Sequence, residues 1–479
     1  MAGQPSPVTS ARDQRKSLVR VGAVALVAVV LLLLPKPGDL SEEARRALVV
    51  FGCAAALWIL DAIPPALTAM LAMVTLPALG VIEFSESLNG FANRSVWLLV
   101  GVLFISVAIQ KSNFDRRLAL SFLRLARGNS RMMLLAAVMA TLVLIVILPT
   151  SVGRAAVVTP IFIGLVRALG LKPGSNLGKS LFLAFSFISV SASVAVITGA
   201  LATIYAANIF SELLNFQWTY LGWLKVMMPG AFLIAFMIWL VLVLIFPPEF
   251  RTVPGGVAYI ESEIDKLGKM KPPEIRMAVM LVVLITLWLT ERRTGLSISY
   301  SCLIVALVAT LPVVGVVEWK DAVKAVSWNT VVLLGSVLSI AHALSVTDAF
   351  EWVSVQIFGS ITTPRVTVVA LMIVLLVIVM RLGFPNAFTV IAVLLPITFT
   401  VANRVGVNPV WLGMLVTGVS TLGFILPTQA VTHLTTYSSG YYSVRDMQRA
   451  GLLVTVGSVA GYFLIAYLYW PLVGLPPVP

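Results

Sequence analysis

Long apolar runs separated by short polar turns follow one another from residue 18 to residue 475. They fall near 18–35, 44–60, 63–81, 95–110, 132–168, 180–211, 222–246, 276–291, 297–315, 329–346, 365–403, 409–438 and 450–475. Most suit a single bilayer crossing, which takes about 20 apolar residues in a helix. Four do not. The runs 132–168 and 365–403 are too long and are punctuated midway, by Leu148-Pro149-Thr150-Ser151-Val152-Gly153 and by Gly383-Phe384-Pro385-Asn386. Proline removes a backbone donor and pushes its predecessor out of the helical region, so each run predicts a re-entrant hairpin of two half-helices. The stretches 180–211 and 405–444 contain no Asp, Glu, Lys or Arg, yet exceed one straight crossing and are rich in Ser, Thr and Gly. They predict broken helices at 180–211 and 409–438.

The same order of features occurs twice. Thr75-Leu76-Pro77-Ala78-Leu79-Gly80-Val81-Ile82-Glu83 matches Thr310-Leu311-Pro312-Val313-Val314-Gly315-Val316-Val317-Glu318 at an offset of 235 (310 − 75), and Pro149 and Pro160-Ile161 match Pro385 and Pro396-Ile397 at 236 (385 − 149). Leu99-Val100-Gly101 matches Leu333-Leu334-Gly335 at 234 (333 − 99). A duplicated unit therefore fills the chain. If each hairpin enters and leaves on one side, a repeat holds five crossings, and an odd number inverts the second copy. The expected organisation is a tail at 1–17, a first helix and loop at 18–43, repeat 1 at 44–246, a charged linker at 247–275 and repeat 2 at 276–479. The expected fold is an all-α polytopic membrane protein with about 11 transmembrane helices in two inverted repeats.

Composition agrees: 59% of residues are hydrophobic, 11% are charged, and the mean hydropathy is +1.01. Most soluble enzymes are thereby excluded. The excess of 33 Lys+Arg over 20 Asp+Glu forms no polybasic stripe, so nucleic acid is not an expected partner. It reads as topology: Arg116, Arg117, Arg124, Arg127, Arg131, Lys266, Lys269, Lys271, Arg445 and Arg449 all fall on the side of the basic N-terminus, which places that side in the cytoplasm and the C-terminus outside a plasma (inner) membrane. The run at 18–35 follows Arg12, Arg15, Lys16 and Arg20 but precedes no small-residue cleavage site, and is expected to be a retained signal anchor. Cys53 and Cys302 lie in apolar runs and read as core residues, not as a metal site. Asp61, before Ala62-Ile63-Pro64-Pro65, reads as a helix N-cap. Trp218, Trp223, Tyr437 and Trp470 suit an interfacial belt.

Inverted repeats with interrupted helices at corresponding positions point to a secondary transporter whose substrate binds near the midplane. Half-helix N-termini suit an anion. Non-helical backbone survives at membrane depth only where it is buried in protein or lines a wet cavity. The polar residues available there are Thr150, Ser151, Arg154, Ser189, Ser191, Ser193, Thr198, Thr203, Asn208, Asn386, Thr389, Thr428, Gln429, Thr432 and His433. An intramembrane arginine is expensive and is by default functional.

Trp58-Ile59-Leu60-Asp61-Ala62-Ile63-Pro64, the Leu98–Ala108 segment followed by Arg116-Arg117-Leu118-Ala119-Leu120, Trp328-Asn329 before Leu333-Leu334-Gly335, and the two punctuated hairpins together resemble the divalent anion/sodium symporter family over about 44–475. The resemblance implies a small di- or tricarboxylate, sulfate or sulfonate as substrate, sodium as coupling ion, elevator-like motion and a homodimer in the lipid bilayer. It also implies a Ser-Asn-Thr signature at each tip, from which this sequence departs: the tips read Pro149-Thr150-Ser151-Val152-Gly153 and Pro385-Asn386-Ala387-Phe388-Thr389. On that basis the expected substrate residues are Thr150, Ser151, Arg154, Thr198, Asn386, Ala387, Thr389 and Thr428. Those expected at sodium are Ser151, Thr203, Asn208, Asn386, Gln429 and Thr432. Thr198, Thr203 and Asn208 read equally as helix-packing groups. Relatives generally carry a small neutral residue where Arg154 stands. It reads as a substrate contact, as a fixed charge replacing one coupling sodium, or as a side chain snorkelling to the cytoplasmic surface. Arg381 stands to balance it from the second hairpin or to mark the outer end of the pathway. His433 offers a protonatable group beside the second break.

Sodium symport is thus the first expectation and sodium-independent anion exchange the second. A cation/proton antiporter or oxyanion pump subunit is expected to carry an intramembrane acid, and none falls in the predicted core. A membrane enzyme needs a cluster of acids, histidines or metal ligands, so no enzyme activity and no cofactor is expected, with sodium the one candidate ion.

Overall fold

The computed structural model describes residues 11–148, 150–358 and 365–479; Pro149, in the first tip, lies outside them. The described elements are helices, apart from one isolated bridge between Asn129 and Thr252. Those of seven residues or more are α1 (Ala11–Leu33), α2 (Glu42–Ile59), α3 (Pro65–Ala78), α4 (Arg94–Ser112), α5 (Phe114–Arg124), α6 (Ser130–Ile147), α7 (Ser151–Ala168), α8 (Asn176–Ser191), α9 (Leu201–Leu214), α10 (Tyr220–Ile245), α11 (Pro254–Leu267), α12 (Pro272–Leu289), α13 (Ile298–Val308), α14 (Trp319–Ala325), α15 (Trp328–Val346), α16 (Ala349–Phe358), α17 (Val366–Gly383), α18 (Ala387–Val405), α19 (Pro409–Val419), α20 (Val431–Tyr437) and α21 (Val444–Leu468). Eleven are long and apolar enough to cross a membrane. Four of these are hairpin arms, which the sequence reading counts as no crossing, so the two sets of eleven overlap without coinciding.

The chain forms two compact units, one from Met1–Val96 with Trp328–Ile361 and one from Trp97–Ser327 with Thr362–Pro479. In the first, α3 packs along α15. Glycine permits the closest approach: a Cβ on Gly335 would stand 2.6 Å from the Phe91 ring, and one on Gly90 2.2 Å from the Gly335 carbonyl. Asp61 does not cap α3. The N-cap is Pro64, and Asp61 takes a left-handed backbone with φ 46°. Pro65 forces its predecessor into an extended conformation, so the helix starts beyond Asp61's reach.

In the second unit the hairpins are α6–α7 and α17–α18. Thr150 caps α7, its Oγ1 accepting from Gly153 N–H at 3.1 Å, and Asn386 caps α18, its Oδ1 accepting from Thr389 N–H at 2.9 Å. Such caps are worth about 1 kcal/mol each and fix where the second arm begins. The hairpins open at opposite ends of the unit. At one end, Ser130 N–H donates to Arg251 O (3.1 Å), the Asn176 amide to Pro247 O (3.0 Å) and Lys179 pairs with Asp446 (3.0 Å). This linker end therefore holds the start of α6, the α7–α8 turn and the start of α21. At the other end, Asn408 N–H donates to Pro477 O (3.0 Å) and the Tyr467 hydroxyl to Thr367 Oγ1 (3.1 Å), which puts the mouth of hairpin α17–α18 beside the C-terminal residues. The repeats are inverted.

Two expectations shift. The linker contains α11, packed on α5 and α7 and tied down by the Arg116–Glu263 ion pair. The apolar run 297–315 is helical only through Val308, because Pro312 and Gly315 turn the chain before α14.

Candidate functional site

Both broken helices come apart in the same way. After α8, a 3-10 turn spans Ala192–Ala195, Val196 is extended, a second turn spans Ile197–Gly199, and extended Ala200 (φ −158°, ψ 163°) leads into α9. After α19, extended Leu426 precedes a 3-10 turn at Pro427–Gln429, and extended Ala430 (φ −158°, ψ 149°) leads into α20. The last three parts correspond one for one at an offset of 230 (430 − 200). Gly199 lacks a side chain because a Cβ there would meet the Ser193 carbonyl at 2.1 Å. Unpaired carbonyls at such breaks need donors, since water is scarce at membrane depth.

Two arginines supply them. Arg154, in the first turn of α7 and 1% exposed, donates from Nε to Ser189 Oγ (3.1 Å), from Nη2 to Ser189 O (2.7 Å), and from Nη1 to Leu148 O and to Gly199 O (3.4 Å). Arg381, in the last turn of α17 and also 1% exposed, donates from Nη1 to Phe384 O (3.0 Å) and from Nη2 to Gln429 O (3.3 Å). Leu148 and Phe384 each end the first arm of their hairpin (384 − 148 = 236), and Gly199 and Gln429 each end the 3-10 turn that leads into the second half of the broken helix (429 − 199 = 230). Each guanidinium thus spans the same pair of places, a hairpin tip and its own repeat's helix break. Neither faces a carboxylate within salt-bridge distance among the described residues. Burial also rules out a snorkelling Arg154, and the carbonyls and hydroxyl that hold its fork leave it closed to a substrate carboxylate in this conformation.

The remaining expected residues divide. Thr150, Ser151, Asn386 and Ala387 are half-buried at the two tips, Thr389 is buried against Asn386 Oδ1 at 3.1 Å, and Thr428 is exposed. Thr203 is spent on the first break, its hydroxyl bonded to Ile197 O and Ala200 O at 2.7 Å. Gln429 is spent on the second: Oε1 accepts from Ile425 and Leu426 N–H at 2.8 Å and Nε2 donates to Arg381 O at 2.7 Å. Thr198 is buried beside Tyr220, Asn208 is buried within α9, and buried Thr432 Oγ1 has no partner among the described residues. Of the residues expected at sodium, Thr203 and Gln429 thus serve their own breaks and Asn386 the cap of α18.

The breaks are bolted together. His433 Nε2 donates to Gly423 O and Nδ1 is hydrogen-bonded to the Ser186 hydroxyl, both at 2.5 Å, while Thr421 Oγ1 donates to Ser191 O at 3.2 Å. With both ring nitrogens engaged, His433 ties α8 to the second break. Gly423 entered no reading of the sequence, and Arg381 entered only as a counterweight to Arg154 or a marker of the pathway's outer end. Gly423 is the floor under the guanidinium: a Cβ there would lie 1.9 Å from Arg381 Nη2.

Opposed hairpins and paired helix breaks in a multi-pass helical chain define a membrane transporter, not an enzyme. The family profile described as "Sodium:sulfate symporter transmembrane region" matches residues 15–475, and the chain belongs to that family, the divalent anion/sodium symporters. It is 28% identical to a Cupriavidus necator protein described as "Membrane protein" (94% of this chain, 92% of the relative). It is 23% identical to the "Sodium-dependent dicarboxylate transporter SdcS" of Staphylococcus saprophyticus (93% and 90%). Among solved structures, Neisseria gonorrhoeae MtrF, from a class titled antimetabolite efflux pumps, aligns with a TM-score of 0.59 at 13% identity (98% of this chain, 96% of that one). The Alcanivorax borkumensis YdaH transporter aligns at 0.56 and 14% identity (98% and 100%). At such identities the structures share the fold alone.

Proposed function

We propose that this protein exchanges small multivalent anions (dicarboxylates, tricarboxylates, sulfate or sulfonates) across the membrane without sodium, with Arg154 and Arg381 as fixed countercharges. The observation that carries the reading is the equivalence of the two carbonyl pairs: Leu148 with Gly199, and Phe384 with Gln429, each bridged by a guanidinium. A guanidinium offers five donors and keeps its charge under all physiological conditions. Unlike sodium it cannot leave with the substrate. An unloaded carrier then drags two uncompensated charges through a low-dielectric region, which is costly, whereas a bound dianion offsets them. Return without cargo is disfavoured, and the natural outcome is one-for-one exchange.

Thr150, Ser151, Asn386 and Ala387 at the two tips present the anion site, where helix N-termini add backbone donors. The hairpins and broken helices move together in an elevator-like step within a homodimer, as the family resemblance implies. The linker end, with Arg116, Arg117 and the other basic residues, faces the cytoplasm of a plasma-membrane protein. Sodium-coupled symport is the competing reading, supported by the name borne by the SdcS relatives.

The test is uptake of radiolabelled succinate and sulfate into proteoliposomes, with or without unlabelled anion inside and with sodium or choline outside. Exchange requires internal anion and proceeds equally in choline. Uptake into anion-free vesicles that needs a sodium gradient overturns the proposal.

A further inference from the structure

At the end of the second unit that carries the C-terminal residues, a cavity of about 690 Å³ opens between the start of α10, the end of α12 and Val473–Leu475. It lies opposite the linker end, because α12 begins where Glu274 binds Arg117 (2.9 Å) and runs 18 residues, about 27 Å, to the cavity. Its charged lining is Lys225, Arg292 and Arg293 against one acid, Glu291. All three cations are exposed, and none forms an ion pair among the described residues. Glu291 is engaged, accepting from Tyr220 N–H at 3.3 Å. Trp218 also lines the cavity, and its buried indole N–H has no acceptor among the described residues. The inner wall is Trp288, whose ring lies 4.7 Å from that of Tyr220 and which also borders the small void lined by Ile147 and Thr198, at the first hairpin and the first break.

We infer that this cavity is a second anion-binding site, a recruitment vestibule in which Lys225, Arg292 and Arg293 hold a dianion ahead of the transport site. The inference rests on the reading of the protein as an anion transporter. Three unpaired cations around one concave space, with a net charge of +2 after Glu291, create the focused positive potential that concentrates small anions. The volume is that of a small-ligand pocket. Trp288 keeps bound anion in the vestibule separate from the Arg154 cage, so the two sites fill independently.

The test reads binding without transport. Leu221 lines the cavity at 36% exposure, so Leu221→Cys, in a Cys53→Ser background with fully buried Cys302 kept, reports on the interior while leaving the three cations in place. Gln217→Cys serves as a second reporter should the first fold poorly. Labelling rates with an anionic and a cationic methanethiosulfonate, each normalised to a free thiol, are expected to favour the anionic reagent by about fivefold. Arg292→Gln with Arg293→Gln brings the ratio towards one. Millimolar sulfate or succinate slows labelling by a neutral methanethiosulfonate, and chloride of equal ionic strength does not. A normalised ratio near one, or protection by neither dianion, overturns the inference. Protection in a protein that fails to exchange anions in proteoliposomes upholds the site and defeats the transport reading instead.

Discussion

The two arginine cages do the same work with unequal means. The first has four hydrogen bonds on Arg154, which reaches from the beginning of the second hairpin arm. The second has two on Arg381, which reaches from the end of the first arm, and leaves its buried Nε without a partner among the described residues. Under the hairpin offset, Arg154 corresponds to Val390 (154 + 236) and Arg381 to Ile145 (381 − 236), both buried apolar residues. What the repeats share is the location of the positive charge, between tip and break, and not the residue that carries it. A structural need for carbonyl partners would be met by any donor. Two buried guanidinium groups, each facing no carboxylate among the described residues, are the more expensive choice, and they are intelligible where the charge itself is used.

Arg154→Ala should give the largest effect, since it strips donors from the carbonyls of Leu148, Ser189 and Gly199. At about 1–3 kcal/mol for each unsatisfied buried acceptor, the expected result is a loss of most folded protein or of all exchange, followed by size-exclusion yield and flux. Arg154→Lys should not restore it, because one ammonium cannot span the fork. Arg381→Ala should come next, at about two-thirds of the cost in stability because two carbonyls rather than three lose their donor, but with an equally complete loss of exchange if the charges act together. A variant that folds and still exchanges dianions would break the comparison by showing that the second cage is only structural.

Gly423→Ala should reproduce Arg381→Ala without touching the arginine, because its Cβ would occupy the place of Nη2. Equal flux defects in the two variants would locate the effect in the guanidinium's position. Ser186→Ala removes one hydrogen bond from the His433 bolt and should cost about 1 kcal/mol in thermal stability, with the pH profile of exchange unaltered. A profile that shifts would reassign His433 as a proton carrier.

Asp115→Asn, in α5 and outside both cages, is the control. Burial pushes the Asp115 carboxyl up to about 6. The folded state therefore binds a proton that the unfolded state releases, and stability falls as pH rises from about 4 to about 6. The substitution should stabilise the protein by about 3 kcal/mol above pH 6 and by nothing below pH 4, while leaving exchange intact. Melting curves across that range check it.

Hairpins, breaks and inversion were legible in the sequence because each is written in local chemistry. Proline and Asn or Thr mark the tips, uncharged overlong runs mark the breaks, and an odd number of crossings dictates the inversion. The structure adds to the broken segments, which extend to Asn176 and Leu214 in the first repeat. The site was legible in residue types and less so in roles. Thr203 and Gln429 have the oxygens a sodium site wants, but sequence does not show that those oxygens serve their own backbone turns. Arg154 stood out as an ionisable group in an apolar run. Arg381 could be read from the sequence as its counterweight, but because the two fall at non-equivalent repeat positions only the equivalent carbonyls show that each bridges a tip and a break. The vestibule was hidden for a simpler reason: Lys225 and Arg292 are brought together by the packing of α10 against α12.

The central claim is that the places between tip and break are filled by guanidinium and take no sodium. Charge displacement measured on the purified protein in a solid-supported membrane after a sodium jump, with no anion present, tests it directly. The expected trace is indistinguishable from protein-free membrane at every sodium concentration. A saturable current that grows with sodium and disappears when choline replaces it would show that sodium binds within the membrane, and would contradict the account.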